Sequence, residues 1–365
     1  MRKWALVVLW MAATAVTASA LSLCDYRMPE TNIVELKSSF NYRYYRDPTR
    51  PHADINSGRL SLNYAHLYDS SLMGFEIGVV GDFVLSELSL VSMDAQARGR
   101  MQRYFGAETP FFAYGGADGL FATGYPQPGL TLEAGIGYGR FSDVSPLAKA
   151  LRAERILLDM GAVVASLPDE LVMQLAEEIG RAAEYETMAE LLTEIEELFL
   201  EATGTRLDAQ ALLALEEIIL DTGWERYCGW NVSLGATYDV LDPRGEDRDV
   251  MIRVAGDVAL APEPGSQMRL SASYSAVPYP TLRRSTVRLS ASYDYRMNDI
   301  TKFNVAYGLR HDYFADESEG SQSATFELAF NLGGVEAAVQ LSFSKPAGWE
   351  EWTQDMVFSA VVHLL

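Results

Sequence analysis

The stretch "TVRLSASYDY", residues 286–295, alternates without a break. Val287, Leu289, Ala291, Tyr293 and Tyr295 fall on one face; Thr286, Arg288, Ser290, Ser292 and Asp294 fall on the other. A period of two is that of a β-strand with unlike surroundings on its two sides. Residues 267–276 repeat the pattern, with Met268, Leu270, Ala272, Tyr274 and Ala276 set against Gln267, Arg269, Ser271, Ser273 and Ser275. Residues 335–344 repeat it again. A soluble sandwich with one wet face would share this alternation. Two features point instead to a water-filled barrel in lipid: charges at mid-strand (Arg253, Asp257, Arg288, Lys302, Glu327) and apolar faces that often end in Tyr or Trp.

Working outward, the alternation predicts 14 strands, at 32–46, 57–69, 72–86, 91–106, 109–122, 129–142, 229–241, 249–260, 267–277, 284–296, 301–313, 322–333, 335–345 and 354–364. The links supply a separate test. Those after odd strands include "DPTRPHADINS", "TGYPQPG", "DPRGEDRD", "FADESEG" and "KPAGWEEW"; those after even strands include "DSS", "GAET", "NDIT" and "GG". Long and short links alternate, as they do when both termini lie on the side of the short turns. The expected fold is mainly β: a 14-stranded antiparallel transmembrane β-barrel, its even count allowing closure.

One link breaks the pattern. In "GIGYGRFSDVSPLAKALRAE", residues 135–154, a strand runs into a helix. Ser145 is read as the N-cap and Pro146 as the first helical residue. Gly161 ends that helix, Pro168-Asp169-Glu170 opens another, Gly204 follows a further run, Asp208 caps the last and Gly223 closes it. Leu191, Leu192, Ile195, Leu198 and Phe199 form one apolar stripe. An α-helical insertion at 145–225 is therefore expected between strands 6 and 7. It carries 18 Asp/Glu against 5 Lys/Arg, so −13 of the formal charge of −21 sits in it.

At the N-terminus, Arg2 and Lys3 precede an apolar run and Ala18-Ser19-Ala20, the pattern of a secretory signal peptide over 1–20. The chain then divides into 21–144 (strands 1–6), the acidic helical insertion 145–225, and 226–365 (strands 7–14). The acidic balance argues against nucleic acid as a partner. Cys24 and Cys228 leave three states open: a lipid anchor on Cys24, a disulfide between the two, or two separate thiols.

Over residues 31–142 and 229–365 the chain resembles a bacterial outer-membrane β-barrel, similar in strand number and loop pattern to the monomeric porin-like channels. The resemblance implies the outer membrane of a diderm bacterium and passage of small solutes. The helical insertion is not part of that pattern, and the ending "VFSAVVHLL" lacks the terminal aromatic residue usual in such barrels.

Strand parity places Arg59, Arg98, Arg100, Arg253, Asp257, Arg269, Arg288, Asp294, Lys302, Arg310 and Glu327 in the lumen. Lys37, Arg43, Glu35, Glu76, Asp82, Glu133, Asp312 and Glu336 are assigned there too. The signs are nearly balanced, which fits a weakly selective pore or a lumen closed by ion pairs. Gly135-x-Gly137-x-Gly139 is not the G-x-G-x-x-G nucleotide fingerprint; its glycines are placed on the lumenal side, leaving space for a plug. Parity puts His66 and His311 on the lipid side, His52 in an outer loop and His363 in the lumen. No nucleophile elbow or metal-ligand spacing accompanies them, and "DESEG", 316–320, is read as a solvated loop tip. No enzyme activity, cofactor or metal is expected. Three readings of function follow: a channel for passive or gated passage of small solutes; an anchor in the lipid bilayer whose segment 145–225 binds a periplasmic protein; and, distantly, an outer-membrane enzyme.

Overall fold

The computed structural model describes residues 22–28, 30–45, 55–87, 89–107, 109–204, 206–221, 225–245, 250–278, 284–298, 300–314, 318–331 and 335–362. The segment read as a signal peptide, His52, Gly223 and His363 lie outside the described residues.

Fourteen strands form one antiparallel sheet in chain order. They are β1 (Glu30–Tyr45), β2 (Ile55–Ser70), β3 (Met73–Ser86), β4 (Ser89–Gly106), β5 (Thr109–Ala122), β6 (Gly129–Asp143), β7 (Tyr227–Leu241), β8 (Val250–Leu260), β9 (Ser266–Ala276), β10 (Arg284–Arg296), β11 (Thr301–Phe314), β12 (Ser318–Asn331), β13 (Val335–Lys345) and β14 (Thr353–Val362). Each pairs with the next, giving the up-and-down order of a meandering β-barrel. Among the described residues no pairing joins β14 to β1.

Register keeps the two faces apart across neighbouring strands. Ser290 of β10 stands opposite Ser271 of β9 and Gly308 of β11, while Leu289 stands opposite Ala272 and Leu309. A slip of one residue would exchange the faces. On the apolar side Leu132, Ile136, Val232, Leu234, Val254 and Leu289 are all exposed. A water-soluble protein rarely presents so continuous an apolar surface.

One turn completes the sequence reading and one differs from it. The β3–β4 link, which the alternation of long and short links left open, is short: Ser86 is followed by Glu87, at φ 52°, and β4 opens at Ser89. The stretch read as the loop tip "DESEG" is in part strand, since Ser318, Glu319 and Gly320 pair with Tyr313, Asp312 and His311. The alternation resumes earlier than hydropathy alone suggests, because cross-strand pairing carries polar residues into the ladder. Asp316 and Glu317 lie outside the described residues.

Between β6 and β7 the chain forms α1 (Ser145–Asp159), α2 (Asp169–Gly180), α3 (Met188–Thr203) and α4 (Ala209–Leu220). Ser145 is the first helical residue and not the N-cap, which is Val144. The capping acceptor lies one position earlier still: Asp143 Oδ1 accepts from the Ser145 N–H at 2.8 Å. Ser145 Oγ instead accepts from the Arg226 N–H at 2.8 Å, tying the two chain ends of the insertion together. Gly161, at φ 73°, closes α1 in a Schellman arrangement: its N–H reaches Leu158 O, and that of Ala162 reaches Leu157 O. Thr187 caps α3, Gly204 ends it at φ 69°, and Asp208 caps α4.

Leu147 and Leu157 of α1, Leu175 of α2, Leu191, Ile195 and Phe199 of α3 and Leu215 of α4 make a dry core. The N-terminal segment belongs to that core rather than to the first barrel segment. Leu23 and Tyr26 are buried in it, and Tyr26 Oη donates to Ala176 O at 3.1 Å. Burial raises the Tyr26 phenol well above its ordinary pKa, so it stays a donor. Cys24 and Cys228 are joined in a disulfide, 204 residues apart in sequence.

Opening that bridge frees the loop between the cysteines. Replacing both by Ser should destabilise the helical unit by about 2–4 kcal/mol. The check is helical ellipticity during urea unfolding, with the bridged protein alongside. An unchanged midpoint would show that the buried contacts of Leu23 and Tyr26 hold the segment without the bridge.

Candidate functional site

The polar face of the sheet gathers charges that lie far apart in sequence. Arg59 Nε meets Asp82 Oδ1 at 2.9 Å, and Ser61 Oγ donates to the same oxygen at 2.7 Å. Arg98 meets Asp118 at 3.3 Å. Arg253 of β8 reaches over β7 to Glu133 of β6 at 3.8 Å. Arg310 meets Asp312 at 2.7 Å, and Asp312 also accepts from Thr286 Oγ1 at 2.5 Å. Asp294 accepts from the Asn304 amide. Asp257 stands between Asn231 of β7 and Ser271 of β9. These pairs leave a surface that is charged yet locally neutral over much of its extent.

Two recesses open on this face. One, on β8 to β13, is lined by Arg253, Arg288, Arg310 and Lys345 among serines and glycine. The other, at the helical end, is lined by Arg269, Asp294, Lys302 and Glu327 together with Glu225 and Arg226 from the chain leaving the insertion. All eleven residues singled out in the sequence thus have a described place. Four of the arginines hold carboxylates, Arg288 joins the first recess, and Arg100 lies over the Tyr114 ring at 4.1 Å.

An aromatic cluster on β4 and β5 escaped the sequence reading. Tyr104, Phe112 and Tyr114 are buried against one another. Their rings lie over Gly135 and Gly137 of β6 and Gly235 of β7. A Cβ on Gly137 would come within 2.2 Å of the Phe112 ring, and one on Gly235 within 2.3 Å of the Tyr114 hydroxyl. The space that the missing side chains leave is therefore filled by the chain's own rings. The signal lay in register: Tyr104, Phe112 and Gly137 fall in line across β4, β5 and β6. Gly139, at φ 116°, then re-aims the next residue. Arg140 stacks on Tyr104 at 3.9 Å and donates to Ala107 O and Ser71 O in two short turns.

The insertion meets the barrel at the end carrying the β8–β9 and β10–β11 turns. Asp221, just after α4, accepts from Arg152 of α1 at 2.7 Å and from Arg296 at the end of β10 at 2.9 Å. Arg226 Nε donates to Pro264 O in the β8–β9 turn, and Ala261 of the same turn is buried in the helical core. Lys149 donates to Ile219 O at 2.6 Å; burial pushes its ammonium below the ordinary pKa, against the pull of Asp221. Among the described residues no group of three or more His, Cys, Asp or Glu is placed to hold a metal ion. His66 contacts Asn32 and the Phe75 ring, and His311 the Tyr313 ring.

No protein-family model matches the chain. No curated protein shows significant similarity to it. Among solved structures, it is similar to the outer membrane channel DcaP of Acinetobacter baumannii, at 11% identity and a TM-score of 0.36 over 90% of this chain and 97% of that one. It is also similar to the CymD monoaromatic hydrocarbon channel, at 8% identity and a TM-score of 0.29 over 96% and 90%. At such scores the fold rests on the strand ladder itself: a 14-stranded antiparallel β-barrel with helices inserted between β6 and β7.

Proposed function

We propose that the chain spans the outer membrane of a diderm bacterium as a channel for small solutes, with the helical insertion seated at the periplasmic mouth. The observation that carries this reading is the two-faced sheet. Large apolar side chains cover the outer side, and charged side chains in ion pairs and open recesses cover the inner. Lipid outside and water inside satisfy both faces at once. The Arg152–Asp221–Arg296 contact ties the helices to the end of β10, and Glu225 and Arg226, on the chain leaving the insertion, line the second recess; both favour partial occlusion by the insertion.

Purified protein in planar bilayers tests this. Ion conductance is expected. It should rise when residues 145–225 are replaced by a short Gly/Ser link, with residues 22–28 removed and Cys228→Ser. Silence from both proteins would overturn the channel reading. A second reading keeps the barrel and gives the helices a partner. Glu190, Glu194, Glu197 and Glu201 line one exposed face of α3 at helical spacing, a self-repelling stripe that a basic surface would relieve. Equal conductance with and without the helices would favour it.

A further inference from the structure

The recess on β8 to β13 breaks the balance of charge seen elsewhere on the inner face. Its lining holds four cations, Arg253, Arg288, Arg310 and Lys345, and no carboxylate. The second recess, by contrast, sets four cations against three acids. Within the first, Arg253 is held by Glu133 and Arg310 by Asp312. Arg288 has no carboxylate within ion-pair distance among the described residues, and its cross-strand partner in β11 is Arg310, a like charge. Like charges directly opposite in a ladder are destabilising, so nothing in the strand pairing itself favours Arg288 there. Around it stand hydroxyls: Ser273 is its partner in β9, and Ser271, Ser290, Ser321 and Ser323 share the lining.

We infer that this recess is an anion-binding site on the solute path, with the Arg288 guanidinium as its anchor and the serines as hydrogen-bond partners. The ligand class that fits is a small hydroxylated carboxylate. A guanidinium holds a carboxylate through two parallel hydrogen bonds, and a wall of serines offers both donors and acceptors to the hydroxyl groups of such a molecule. A bound anion would also offset the repulsion between Arg288 and Arg310. The assignment rests on the channel reading for its place in transport, but the binding site itself does not.

Two measurements separate these claims. In planar bilayers under a potassium chloride gradient, the reversal potential should report preference for chloride. Arg288→Gln should shift it toward the cation side, and Arg288→Lys should keep it. Independently, calorimetric titration of the detergent-solubilised protein with sodium gluconate should show binding that weakens by about tenfold or more in Arg288→Gln. Arg288→Lys should be intermediate, because it keeps the charge and loses the fork. Glucose, which has the hydroxyls without the carboxylate, should bind far more weakly than gluconate. Gluconate binding equal in parent and Arg288→Gln would overturn the site, whatever the bilayer shows. Silent bilayers with Arg288-dependent gluconate binding would overturn the channel and leave the site standing.

Discussion

Gly139→Ala should cost at least about 3 kcal/mol and leave little correctly assembled barrel. Two separate penalties meet at this position. Its φ of 116° lies where L side chains are strained. A Cβ there would also stand 2.1 Å from Trp230 O and 2.6 Å from Asn231 Cα, both backbone atoms of the paired strand that no side-chain rotation can clear. Urea titration of the refolded protein in detergent, read by the heat-modifiable shift in gel mobility, measures the loss. Gly78→Ala is the control. That glycine lies in β3 with nothing within 4 Å of the would-be Cβ, so the substitution should be neutral within about 1 kcal/mol. Equal behaviour of the two variants would mean that β6 and β7 do not approach as described.

Leu289→Arg should destabilise the lipid-embedded protein by about 2–4 kcal/mol, since a charge at mid-strand on the outer face must leave water. Ser290→Arg, one residue along, should cost under about 1 kcal/mol: its side chain joins a hydrated wall where salt screens the neighbouring cations. Leu289 pairs with Ala272 and Leu309, and Ser290 with Ser271 and Gly308, so the substitutions sample opposite faces of the same strand. Unfolding in vesicles of a fixed lipid reads the difference. Similar costs would overturn the assignment of lipid to the apolar face.

What the sequence made legible follows from how local each determinant is. Strand bounds such as 284–296 were readable because every residue reports its own face, and the eleven successive reports from Thr286 to Arg296 agree. Helix ends at Gly161, Gly204 and Asp208 were readable because caps act within one turn. Ser145 was misplaced because the Asp143 carboxylate, two residues earlier, accepts the Ser145 N–H as the first of the helix, while the Ser145 hydroxyl is turned to the distant Arg226 N–H. The side taken by Arg140 was hidden by the positive φ of Gly139, which breaks the alternation on which parity depends. Charge balance along the chain was legible, but its local failure at Arg288 was not. That failure depends on which residues stand opposite, and register is a property of strand pairs. The disulfide was undecided for the same reason, since no local pattern brings Cys24 beside Cys228.

That bridge gives the covalent molecule the shape of a lariat. Its ring runs from Cys24 to Cys228 and holds β1 to β6 and all four helices; its tail runs from Gly229 to the end and holds nearly all of β7 and the seven strands after it. Exposed loops are where proteases nick a folded chain, and the two parts answer a nick differently. A single cut anywhere in the ring leaves both pieces joined through sulfur. A single cut after Arg244, between β7 and β8, leaves the C-terminal strands with no covalent tie to the rest. The front half of the barrel can thus be cut open at its surface and remain one molecule, and the back half cannot.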